Sequence, residues 1–253
     1  MKLKICLLFI SILFTGCSST NHKREGFSSD FYRSLNTTSH GYNIVKDPTG
    51  SAPTEEVERF EVRAGDCSQD SVWSDCKNNR ERSEVAGPRM RFIGNEEKYT
   101  WYMYVPEDWE DIMPASNVYG QVFQVNKTNQ DAYGAPLIQI ILTNRGIRVH
   151  NSFKWKLSKN IYSIDKVKGK WTKIEIHAKW LMEADDEMPN GFYKVSINDE
   201  LFYEYSGDTV SSNGIDEIYL KYGIYRVQLD RLLGSKPPTQ IVYYSNVKRV
   251  RVK

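Results

Sequence analysis

The 253-residue sequence has little histidine and little cysteine, four of each. No group of them has the spacing of a zinc site, so zinc-dependent hydrolysis is set aside. Charge of one sign is also scarce, with 34 Lys and Arg against 32 Asp and Glu. So nearly neutral a chain lacks the positive excess that displaces phosphate counterions, which argues against nucleic-acid binding. There is no serine nucleophile elbow and no phosphate-binding loop. Asp185, Asp186 and Glu187 lack the spacing of a Ca²⁺ loop and read as an exposed turn. No periodic pattern of three helical turns occurs, Glu107 to Ile112 being the one short candidate. Neither an internal repeat nor a linker after Tyr42 divides the chain.

Long apolar runs are missing beyond the first sixteen residues. Lys2 and Lys4 precede the almost wholly apolar run from Ile5 to Phe14. It is too short to remain in a bilayer as a helix and reads as an export signal. Phe14-Thr15-Gly16-Cys17 resembles a bacterial lipobox, which implies lipidation of Cys17. Ser18 after it matches lipoproteins sorted to an outer membrane, facing the periplasm or the exterior. A plain secretory signal is the alternative. Residues 1–16 are therefore expected to be the signal, 17–35 a lipidated polar tether, and 36–253 the domain. Losing Lys2 and Lys4 with the signal brings the formal charge from +2 to zero. Export also leaves Cys67 and Cys76 as a pair in an oxidising compartment, where a disulfide is the expectation. Closing that loop would stabilise the fold by roughly 2–3 kcal/mol. Metal binding is the weaker alternative, with no His or second Cys pair nearby.

What the chain does have is aromatic residues, 13 % of the total with 16 Tyr and 6 Trp. They fall in short strand-like runs separated by turn signals. Val57–Arg63, Glu81–Val85, Tyr99–Val105, Tyr119–Asn126, Leu137–Thr143 and Gly146–His150 form the first group. Trp171–Trp180, Gly191–Asn198, Leu201–Tyr205, Ile218–Arg226, Gln240–Tyr244 and Val247–Val252 form the second, with Asn198-Asp199 as a tight hairpin turn. So many short strands predict an all-β fold, a jelly-roll sandwich of two antiparallel sheets with one concave face.

Side chains alternate across a strand, so polar sets can be read off by face. Tyr219, Lys221, Gly223 and Tyr225 share one face, and Arg80, Arg82 and Glu84 share another. Gln124 and Asn126 are expected outward with Phe123 and Val125 packed inward. Lys173, Glu175, His177 and Lys179 oppose Ile174, Ile176 and Ala178. For any single strand a solvated face is the simpler account. Gly223 between Lys221 and Tyr225 points further, since an interior strand glycine marks close approach of a ligand or another backbone.

Arg80-Glu-Arg-Ser-Glu84 and Tyr219-Leu-Lys-Tyr-Gly-Ile-Tyr-Arg226 resemble segments of the heparin lyase I and glucuronan lyase group of jelly-roll polysaccharide lyases. Trp171…His177-Ala-Lys-Trp180…Gly191-Phe-Tyr-Lys-Val195 has the same look, and the resemblance covers roughly Tyr42 to Lys253. It implies β-elimination beside the carboxylate of a uronic acid polysaccharide. Arg82, Gln124 and Asn126 would offset the carboxylate charge. Tyr225, with its pKa depressed by Lys221 and an Arg, would serve as base and then acid. Lys221, Arg80, Glu84, Tyr219, Lys179 and Arg226 would bind substrate. Where the group shows Gln-x-His, this chain reads Gln124-Val125-Asn126, and Asn takes no proton. Syn elimination by Tyr225 alone is therefore expected, with His177 as the residue that would restore a two-residue mechanism. No cofactor is obligatory, a structural Ca²⁺ ion being compatible with the group, and the protein is expected to be a monomer. The rival is a non-catalytic carbohydrate-binding lipoprotein on the same fold. A glycoside hydrolase is disfavoured, because Glu81, Glu84 and Glu175 show no spacing that marks a carboxylate pair.

Overall fold

Apolar residues at every second position leave each strand one face to bury, and two sheets facing one another satisfy that need. A computed structural model describes residues 30–89, 94–125, 134–151, 158–181, 191–210 and 217–252. Strands are numbered along the chain. The front sheet has the order β1 (Tyr32–Arg33), β4 (Glu81–Ala86), β13 (Glu217–Val227), β6 (Ser116–Val125), β7 (Gly134–Thr143), β8 (Gly146–Asn151) and β9 (Ser158–Ser163). The back sheet has the order β12 (Glu200–Ser206), β11 (Phe192–Ile197), β10 (Trp171–Lys179), β5 (Glu96–Tyr104), β14 (Gln240–Arg251), β3 (Glu56–Val62) and β2 (Tyr42–Lys46). Every pairing within the two sheets is antiparallel, and the fold is the jelly-roll type of sandwich that the alternation predicts.

The core between the sheets is aromatic and β-branched. Phe60, Tyr99, Trp101, Ile174, Ile176 and Tyr244 from the back sheet meet Tyr119, Val122, Leu220, Tyr222 and Ile224 from the front. Two of its hydroxyls are paired, as burial favours. The Tyr222 hydroxyl donates to Glu58, and Tyr244 donates to the carbonyls of Tyr119 and Gly223. Asn198 and Asp199 both take left-handed backbone angles and close a tight β11–β12 hairpin.

Three local expectations change. Residues 107–112 form no helix; Trp109 closes a turn onto the Pro106 carbonyl and buries its indole, which donates to the Tyr119 hydroxyl at 2.6 Å. The predicted strands 240–244 and 247–252 are one strand, interrupted by an irregularity where Asn246 is left-handed. Residues 31–33, expected in a tether, are part of the sandwich: Phe31 packs edge-on against Tyr222 at 5.5 Å, and Tyr32 and Arg33 pair with β4. Residues 1–29, with the expected signal segment and Cys17, lie outside the described residues.

Candidate active site

In an antiparallel ladder, directly opposed residues share a face. On the front sheet Tyr225 stands opposite Arg82, and Lys221 opposite Ala86 on β4 and Gln121 on β6. The set Tyr219, Lys221, Tyr225, Arg82, Glu84 and Gln121 thus occupies the outer face of the front sheet. All six are largely buried, and Arg82, Lys221 and Gln121 are fastened to one another through Glu84.

Tyr225 is the centre. Its hydroxyl oxygen accepts a hydrogen bond from Arg80 Nη1 at 2.5 Å, and the Arg82 guanidinium lies 4.3 Å from its ring centroid. Arg82 grips Asp75 with both arms of its fork, Nε to Oδ2 at 2.5 Å and Nη2 to Oδ1 at 2.6 Å. Asp75 in turn accepts from the Trp73 indole at 2.9 Å, and Arg80 stacks 4.8 Å from the Trp73 ring. Asp75 and Trp73 belong to the loop closed by the Cys67–Cys76 disulfide, the pairing expected from the cysteine count. That loop therefore holds both arginines against Tyr225. Glu84 takes Lys221 Nζ at 2.6 Å, Gln121 Nε2 at 2.6 Å and Arg82 Nη1 at 3.3 Å.

Three cations, Arg80, Arg82 and Lys221, thus face two carboxylates, Asp75 and Glu84, which leaves one positive charge in excess. Burial works against the charge on Arg82, yet the bonds to Asp75 and the charge of Glu84 hold it more firmly protonated than an ordinary guanidinium. Burial lowers the Lys221 ammonium pKa despite Glu84. Tyr225 departs from the sequence expectation. Burial pushes its phenol above the usual value, and Arg82 and Arg80 only partly pull it back. The resting group is therefore a phenol whose oxygen already receives a proton donor, leaving its own O–H to be given elsewhere.

Several expected site residues stand apart from this cluster. Gln124 is opposed to Ile218, a core residue, so it lies on the inner face, while Phe123 opposes Tyr219 on the outer face. The assignment of Gln124 outward and Phe123 inward is thus reversed, because an irregularity beside Tyr119 and Gly120 shifts the alternation of β6 by one residue. Asn126 lies outside the described residues. Arg226 also points inward, fully buried, donating to Glu81 at 2.9 Å and to Gln240 at 2.9 Å. His177 and Lys179 lie on β10 in the back sheet, whose inner face is Ile174, Ile176 and Ala178. Their side chains face away from Tyr225 across the sandwich, and His177 Nε2 lies 2.7 Å from Glu96.

Sequence reasoning missed Asp75, Trp73, Gln121 and Gln139, the last donating to Gln121 at 3.3 Å. Asp75 could be found only from the path of its disulfide loop. Arg82 was expected to bind a substrate carboxylate, but its fork is occupied by Asp75. Arg80 has no partner for its remaining N–H groups among the described residues. Among those residues no group of three or more His, Cys, Asp or Glu is placed to hold a metal ion.

No curated protein matches the chain. Among solved structures it is similar to the endo-β-1,4-glucuronan lyase of the fungus Trichoderma reesei, at 15 % identity and a TM-score of 0.60 over 86 % of this chain and 89 % of that one. An alginate lyase of polysaccharide lyase family 7 gives 13 % identity and 0.55 over 88 % and 95 %. The family 7 alginate lyase of the marine Zobellia galactanivorans gives 12 % and 0.52 over 86 % and 97 %. At such identities the likeness carries the fold. The family model described as polysaccharide lyase matches residues 15–248, nearly the whole chain, and the chain belongs to that family.

Proposed function

We propose that this lyase cleaves a uronic-acid-containing polysaccharide by syn β-elimination, with Tyr225 as base and acid. The observation that carries the reading is the Arg80–Tyr225 contact within a cluster of net positive charge. The C5 proton of a uronate becomes removable only when the carboxylate charge is offset as the enolate develops. Arg80 supports that role better than Arg82, because Arg82 is committed to Asp75. Tyr225 as phenolate takes the C5 proton, the C5 electron pair forms the C4=C5 double bond, and the C4–O bond breaks. The departing oxygen receives the proton from the Tyr225 hydroxyl, which restores the phenolate. Outward-facing β6 offers Gln121 and Phe123 at the spacing where a Gln-x-His pair would stand, and neither is a base. That supports a single-residue mechanism. The uronate polymers in the names of the similar structures support the substrate class.

The test is a screen of the domain against glucuronan, alginate, heparin, heparan sulfate, hyaluronan and chondroitin, following the ultraviolet absorbance of unsaturated uronate. Tyr225→Phe should lose about 10²-fold or more of the responding activity. Retention of most activity would overturn the role of Tyr225. Export and lipidation at Cys17 belong to the same proposal and rest on the Phe14-Thr15-Gly16-Cys17 segment. Fatty-acid labelling of the full chain that persists in Cys17→Ser would refute them.

A further inference from the structure

The outer face that bears Tyr225 continues across β6, β7 and β8. Tyr225 is opposed to Val118, Val118 to Ile141, and Ile141 to Arg148. Arg148 therefore stands in the same cross-strand row as Tyr225, three strand spacings or about 14 Å away. A second row runs from Lys221 through Gln121 and Gln139 to His150. On β13 the two rows are four residues apart, at 221 and 225; on β8 they are two apart, at 148 and 150. Irregularities in the β13–β6 and β6–β7 ladders draw them together. Arg148 and His150 consequently sit side by side on one face, both half-buried.

Nothing in the two rows balances the charge of Arg148. Its row holds Val118, Ile141 and Asn160, and the other holds Gln121, Gln139 and Ser158. Among the described residues Arg148 has no carboxylate partner, and its Nε is sealed from water without a hydrogen-bond acceptor. A buried guanidinium N–H without an acceptor is unfavourable, and a planar fork matches a carboxylate, the anion that a uronate carries. Burial, and then the charge of Arg148, lower the pKa of the neighbouring His150 ring. Between Arg148 and Tyr225 the floor is apolar, with Val118 and Ile141 packed beside the Tyr225 ring. Such a strip suits the carbon faces of sugar rings.

We infer that Arg148 and His150 form a second carboxylate-binding subsite, which holds a uronate unit of the same chain several sugars away from the bond cut at Tyr225. This rests on the uronate reading above and adds to it a requirement for substrate length. The enzyme would act on polymer in preference to short fragments, because only a longer chain reaches both ends of the strip.

The experiment measures binding to the Tyr225→Phe protein, which leaves its ligand uncut. Oligoglucuronates and oligoalginates of graded length are titrated by calorimetry, with and without Arg148→Gln. Affinity is expected to step up about tenfold to a hundredfold once a chain spans the strip. Arg148→Gln should remove the step, Arg148→Lys should keep part of it, and reduction of the carboxylates to alcohols should abolish it. A step unchanged by Arg148→Gln overturns the subsite alone. No binding at any length overturns the uronate reading and the subsite together. Thermal melts of the Arg148 variants that match the parent exclude misfolding as the cause of a lost step.

Discussion

Tyr225 has to give up a proton to act as a base, and its surroundings oppose this. Burial raises its pKa, Asp75 and Glu84 add to the rise, and Arg82 and Arg80 counter it. The sign for catalysis follows directly. In the proposed mechanism the active form is the phenolate, and a pKa above the ordinary value of about 10 leaves only a small phenolate fraction near neutrality. Below that pKa the fraction grows about tenfold per pH unit, so kcat/KM, which reports the free enzyme, should climb steadily into the alkaline range. Arg80→Gln removes one of the two lowering charges and should displace the ascending limb to higher pH as well as reduce the rate. A profile that levels off below the ordinary histidine value of about 6.5 would instead assign the base to His150, a histidine on this face among the described residues, whose pKa burial and Arg148 lower.

At the scale of the element, Gly223 shows how a strand can read as functional for a structural reason. Its backbone angle is φ +131°, and a Cβ there would meet the Ser83 carbonyl of β4, with Glu84 Cα at 2.9 Å and Phe60 Cδ1 at 2.8 Å. The glycine admits the backbone of β4 and leaves no room specific to a ligand. Gly223→Ala should therefore lower thermal stability by about 1–3 kcal/mol, the range for forced overpacking, and misplace Arg82 and Tyr225 together. A native melting temperature with activity alone lost would restore the ligand-clearing role. The same strands show what was legible beforehand. Alternation put Tyr219, Lys221 and Tyr225 on one face, and Arg80, Arg82 and Glu84 on another, because β13 and β4 keep their period through those residues. It failed on β6, where the irregularity beside Gly120 reverses the phase and exchanges Gln124 for Gln121. Alternation could not separate His177 from the site either. It assigns faces within a strand and says nothing of which sheet β10 joins. The grip of Asp75 on Arg82 was equally out of reach, since it depends on the course of a disulfide loop rather than on any period.

For the whole molecule, the aromatic core that makes the sandwich also sets its alkaline limit. Burial raises the pKa of Tyr99, Tyr119, Tyr193, Tyr219 and Tyr244 in the folded state. In the unfolded chain these phenols ionise near pH 10. Above that pH the folded state therefore binds more protons than the unfolded one, and stability must fall as pH rises. Their stabilising contribution is complete below about pH 10 and drains away toward the raised folded values. Two consequences meet here. The activity carried by Tyr225 should rise with pH until the fold itself yields, so the upper edge of the profile marks unfolding and not a second catalytic group. An alkaline titration followed by phenolate absorbance and near-ultraviolet circular dichroism checks this. The exposed phenols should ionise first, and the buried set later, in a single step that coincides with loss of the dichroism. Ionisation of every phenol near pH 10 with the dichroism intact would mean that the core does not hold these hydroxyls as tightly as their burial requires. The activity edge would then have to be assigned to a titrating group in the site.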